Sequence, residues 1–97
     1  MSSLTGKQRR QLRALGHHLE PVVIVGQAGV TEGVIAAVEQ ALRDHELIKV
    51  KINEGPETRQ EASARIAEAT QSELAQLLGR TALFFKKRQK DSDFEKF

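Results

Sequence analysis

Cysteine is absent from this 97-residue sequence, which rules out disulfides and thiolate metal ligands and fits a reducing compartment. Tryptophan and tyrosine are absent as well, and the only aromatics are four phenylalanines. An RRM-like sheet that stacks several bases on aromatic rings therefore has little to be built from. No apolar run approaches the roughly 20 residues of a membrane span, and the opening MSSLTGKQRRQ lacks the apolar core of a signal peptide. The expectation is a cytoplasmic protein with no membrane partner. Nucleotide-binding loops are missing too: Gly26, Gly29 and Gly33 fit neither the Walker spacing nor G-x-G-x-x-G. ATP and NAD are poor candidates, and no cofactor is expected.

What is present is one domain's worth of apolar sequence, 39% hydrophobic, enough to close a single core over residues 1–97. The net charge is only +2 but unevenly spread. Lys7, Arg9, Arg10 and Arg13 have no acid among them up to Leu19. Glu20, Glu32, Glu39, Asp44 and Glu46 then face Arg43 alone, and Lys86, Lys87, Arg88 and Lys90 form a second cationic run. Two basic segments far apart in sequence suggest one electropositive face if the fold joins them, and two solvated ends if it does not.

Local patterns place these charges on elements. Thr5 and Gln8 make a capping box, and Leu12, Leu15 and Leu19 recur as one apolar stripe, so a helix is expected to end before Pro21. Lys7, Arg10 and Arg13 share one side of it. Val22 to Val25 is a β-branched run of the kind found in strands covered on both faces or central in a sheet. Thr31 caps a second helix, with Val30 stapled to Ile35 and Val34, Ile35, Val38, Ala41 and Leu42 inward. LIKVKI, 47–52, alternates: Ile48, Val50 and Ile52 face the core while Leu47, Lys49 and Lys51 face a partly wet side. NEGPE is a turn, Pro56 suits the first turn of a third helix, and Ala62, Ile66 and Ala69 mark its inner face. Residues 72–78 allow either helix or strand. Gly79-Arg80, with Gly first as a type II′ turn wants, favours a closing hairpin with TALFF, in which one of Phe84 and Phe85 is core and the other stands on the sheet. The expected order is α-β-α-β-α-β-β, an α/β (α+β) domain with a four-stranded mixed sheet and helices mainly on one face. The core is expected over about 4–88, with the tail 89–97 flexible.

The junction VVIVGQAGVTEG, 22–33, is the most suggestive stretch. Gly26 and Gly29 can take positive φ and let backbone approach an anion closely, and the first N–H groups of the next helix lack intrahelical partners. Glu32 opposes this, since it could answer the helix dipole itself. The alternative is a plain strand-to-helix turn. Catalysis finds little support. His17 and His18 stand about 100° apart around their helix, His45 is alone, and no nucleophile has a base beside it. A non-enzyme without a metal site is expected.

The ordered series LTGKQRR, HHLEPVVIVG, GQAG, TEGVI and HELIKVK resembles the YhbY family of small bacterial RNA-binding proteins, the stand-alone form of the CRM domain of plant organelle splicing factors. The resemblance runs from Leu4 to about Lys87. It implies a fold like the C-terminal domain of initiation factor three, RNA as partner, and association with ribosomal RNA of large-subunit (50S) precursors during ribosome assembly. On that reading the RNA-binding candidates are Lys7, Arg9, Arg10 and Arg13, the GxxG loop Gly26, Gln27, Ala28 and Gly29, and the flanking Lys49, Lys51, Lys86, Lys87 and Arg88. His17 or His18 could also touch the RNA. A monomer is expected, and Gly29→Asp is expected to weaken RNA binding with the fold intact. The competing reading is a protein-interaction module that docks through the acidic second helix.

Overall fold

The Thr5 cap forms as its sequence demands. Its hydroxyl accepts the Gln8 N–H at 3.1 Å, and the Gln8 side chain accepts the Thr5 N–H at 2.9 Å, starting α1 (Gly6–Gly16). The computed structural model describes residues 4–94 and 97. The remaining elements are β1 (Pro21–Val25), α2 (Glu32–His45), β2 (Leu47–Ile52), α3 (Arg59–Thr70), β3 (Glu73–Leu78) and β4 (Thr81–Phe85). The ambiguous 72–78 segment is a strand, and of the two turn residues only Gly79 takes positive φ, +58°, as type II′ requires.

The sheet is mixed, in the order β1-β2-β4-β3. β1 runs parallel to β2, and β4 is antiparallel to both its neighbours. α2 and α3 cover one face, where Val25, Val38, Ile48, Val50, Ile66 and Phe84 make the main core. α1 lies on the opposite face, where Leu12 meets Leu47, Ala75, Leu83 and Phe85. The alternation read in β2 is the physical basis of this two-sided arrangement: Ile48, Val50 and Ile52 serve the first core, Leu47 the second.

Several expectations need correction. β1 is an edge strand paired with β2, and its outward residues Val22 and Ile24 are 52% and 60% exposed. α1 packs over β2 and β3 at the far end of the sheet and leaves this part of the face bare. Of the expected α1 stripe, Leu12 is buried and is joined by Gly16, Leu19 packs against the same cluster from beyond the helix end, and Leu15 is not part of it. The helix ends at Gly16, which rests on Leu83 so closely that a Cβ there would lie 2.5 Å from a Leu83 methyl, and Leu15 is 49% exposed. α3 begins after Thr58, whose capping box with Glu61 outcompetes Pro56 as a start, and its last inward residue is Thr70 rather than Ala69.

Neither phenylalanine of the FF pair is open. Phe84 is buried under α2 and α3, and Phe85 is covered by the tail. Phe94 packs on it edge-to-face and Phe97 at a tilt, with ring centroids at 4.9 and 5.3 Å. A flexible tail over 89–97 is what its lack of periodicity predicts. Instead residues 88–94 are tied to Glu46, whose carboxylate accepts the Arg88 N–H, the Ser92 hydroxyl and the Asp93 N–H at 2.6–2.8 Å. Glu95 and Lys96 lie outside the described residues.

Candidate nucleic-acid interface

β1 and β2 end side by side, Val25 opposite Ile52, so their following loops emerge together. The GQAG loop closes by a bond from the Gly29 N–H to the Gly26 carbonyl at 3.0 Å, with Gly29 at φ +79°. It leans on the loop after β2. A Cβ on Gly29 would stand 2.8 Å from Glu57 Oε1 and 2.9 Å from Pro56 Cγ. Glu57 Oε1 accepts the Val30 N–H at 3.1 Å, while its other oxygen pairs with Arg65. The Arg65 hydrogen bond first, and the Val30 N–H second, hold the Glu57 carboxyl below its ordinary range.

The loop therefore already holds an anion, and that anion is its own. Glu57 takes the Val30 N–H, and Thr31 Oγ1 takes that of Val34 at 3.2 Å. What the loop presents to solvent is Gly26, Gln27 and Ala28; Gly29 is buried. Glu32 is exposed on the first turn of α2. The Gly29→Asp expectation is sharpened accordingly: the substitution forces an L residue into positive φ and a second carboxylate against Glu57, so a loss of stability is expected alongside any loss of binding. Gly29→Ala alone is expected to cost about 1–3 kcal/mol, read as a lowered thermal midpoint. Ala28→Asp, at an exposed position, should leave that midpoint unchanged and test the loop's surface cleanly.

The cations of α1 divide by position. Arg9 is half-buried, and its guanidinium donates to the Leu74 and Ala75 carbonyls at 2.8 and 3.4 Å, where β3 slips register against β4. It pins α1 to the sheet. Arg13 and His17 lie about 100° and 140° around the helix from the buried Leu12, on the flank toward the bare end of the sheet. The other flank carries Leu15 and faces Phe94 and Phe97. Lys7 and Arg10 are exposed along the top. His17 lines a hollow with Lys49, Gln76 and Leu78, so Lys49 continues the α1 flank onto the sheet. Lys51 follows two residues later on the same face.

The second basic run is not part of this surface. Lys86 Nζ donates to the Thr70 carbonyl at 3.0 Å, closing the end of α3. Arg88 donates to the Arg43 carbonyl at the end of α2 and lies 3.4 Å from Glu46. Lys87 is exposed beside them in a groove that includes Leu42 and Thr70. Lys86 and Arg88 serve helix termini and the tail. The structure thus brings His17, at the end of α1, together with Lys49, and Lys51 follows two residues along the same face of β2 toward the GQAG loop.

Arg80 escaped the sequence reading. Its carbonyl accepts the Ile52 N–H at 2.7 Å, which sets this exposed turn residue at the end of the sheet where the GQAG loop emerges. Only the strand order could reveal that, because Arg80 and Gly26 are far apart in sequence. The acidic second helix is weaker as a docking face than its composition suggests. Glu46 is buried, and Glu39 shares a hollow with Arg43 and Arg65. Among the described residues no group of His, Asp or Glu could hold a metal ion, and no helix is long and apolar enough to cross a membrane.

Comparison with known proteins agrees with this architecture. Residues 4–86 match the CRS1 / YhbY (CRM) domain. A relative from Pseudomonas aeruginosa, named a probable RNA-binding protein, is 43% identical over 89 residues, covering 91% of this chain and 86% of its own length. One from Haemophilus influenzae, named an RNA-binding protein, is 41% identical over 87 residues, with 89% and 88% covered. The solution structure of a Staphylococcus aureus protein superposes with a TM-score of 0.78 at 34% identity, covering 92% of this chain and 94% of that one. The names of these relatives describe binding proteins, not enzymes. With its three helices, its mixed four-stranded sheet and a match that spans every one of these elements, the chain belongs to the CRS1/YhbY (CRM) domain family.

Proposed function

We propose that this chain binds RNA across the bare end of the sheet, with Arg13, His17, Lys49, Lys51 and Arg80 meeting phosphates and the exposed Gly26–Ala28 backbone flanking them. The observation that carries this is the hollow in which His17, at the end of α1, meets Lys49 of β2 beside an uncovered stretch of sheet, with Lys51 next on that face and the Arg80 turn bonded to the end of β2. Such a surface neutralises phosphates without reading sequence directly. The names of the relatives point the same way.

The RNA we assign is ribosomal RNA of large-subunit precursors, bound by a cytoplasmic monomer without cofactor or catalysis. Crosslinking in cells followed by sequencing of the attached RNA tests this. Crosslinks concentrated in precursor large-subunit RNA, and abolished in a variant with Arg13, Lys49 and Lys51 changed to Glu, are the expected result. Crosslinks spread evenly over messenger RNA, or unaffected by the reversal, overturn the assignment.

A further inference from the structure

The bare end of the sheet is apolar as well as cationic. Its register sets Ile24, Lys51, Thr81 and Leu78 in one row across all four strands. The two ends of that row are large aliphatic side chains left 60% and 62% exposed. Three strand spacings separate them, about 14 Å. Covering these side chains would take apolar surface out of water, so the row is a surface with something to gain from a partner. Lys51, between its ends, can lay its methylene stem along the apolar surface and present its ammonium above. Lys49 and His17 border the row on the α1 side.

We propose that this row seats the unpaired bases of single-stranded RNA, with Ile24 and Leu78 covering base faces while Lys49, Lys51 and Arg80 hold the adjoining phosphates. This deepens the RNA-binding reading above and rests on it. A duplex turns its phosphates outward and hides its base faces, so it can use the cations but leaves Ile24 and Leu78 wet. A single strand offers apolar faces and negative charges side by side, which is the pattern of the row. With no aromatic ring among its side chains, the row desolvates bases without the preferences of ring stacking, and base selectivity is expected to be weak.

Fluorescence anisotropy with a labelled unstructured ten-nucleotide RNA, and with the same strand annealed to its complement, tests the assignment. The intact chain is expected to prefer the single strand. Ile24→Ser with Leu78→Ser should lower single-strand affinity about tenfold and change duplex affinity by less than about twofold. An equal drop on both RNAs, or no drop, overturns the inference. Should the double variant melt early, Ile24→Thr, which keeps a β-branched residue in the strand, gives the same reading: a smaller loss confined to the single strand supports the row, and no loss overturns it. Sedimentation equilibrium covers the other occupant, since a wild-type dimer dissolved by the serines makes the row a contact between copies and defeats the proposal. The charge reversal of Arg13, Lys49 and Lys51 separates the base seat from RNA binding as such. If it abolishes binding while the serines do nothing, the base seat fails and RNA binding stands; if neither matters, both fail.

Discussion

Changing Arg13, Lys49 and Lys51 together to glutamate is expected to lower affinity for structured ribosomal RNA by about 100-fold near 0.1 M salt, and to leave the thermal midpoint nearly unchanged. All three lie on the α1 flank or the uncovered sheet face, and neither Lys49 nor Lys51 is held by the core. Each phosphate that is no longer neutralised should flatten the dependence of log affinity on log salt by about 0.7–0.9, so the triple reversal should remove about 2–3 units of slope. Filter binding at four or five salt concentrations measures both quantities. The matched control is Arg9→Glu. Because the Arg9 guanidinium is engaged with the Leu74 and Ala75 carbonyls, this change should lower the melting temperature while altering the salt slope little. A triple reversal that leaves the slope untouched places the RNA surface elsewhere.

That contrast between Arg9 and Arg13 marks where sequence reading stops. Thr5-Gln8, Thr31, the alternation of 47–52 and Gly79-Arg80 are local signals, and each produced the expected element because caps, pleats and turns depend on residues a few positions apart. The side chains that hold one element to another could not be read that way. Arg9 and Arg13 sit four apart in one basic run; only the bonds to β3 make the first an anchor, while the second is exposed. Val22–Val25 looked interior because its residues are all apolar, yet only its Val23 and Val25 are covered. The tail carried no periodicity at all, and its order comes from a carboxylate 42 residues upstream of Arg88.

That carboxylate should be the most consequential single side chain for stability. Glu46 closes α2 at φ +61°, in the left-handed region that most side chains avoid, with no exposed surface. Burial pushes its pKa up. The Ser92 hydroxyl, the Arg88 and Asp93 N–H groups and the Arg88 charge together outweigh that and hold it below its ordinary 4.5. Glu46→Ala strips three donors and the Arg88 guanidinium of their acceptor at once. It is expected to cost about 3 kcal/mol, or a fall of about 15 °C in the melting temperature of a chain this size, and to release Phe94 and Phe97 from Phe85. The pH dependence follows from the direction of the shift. A carboxyl whose folded pKa is depressed contributes its full stability above the unfolded value near 4.5 and loses it as pH falls through the lower folded value. Glu57 and Glu61 are depressed too, so both proteins should weaken in acid. The gap between their melting temperatures should be widest above about pH 5 and shrink as the pH drops toward 3. A gap that stays constant over that range shows that Glu46 holds the tail by shape alone, and that its charge does not contribute.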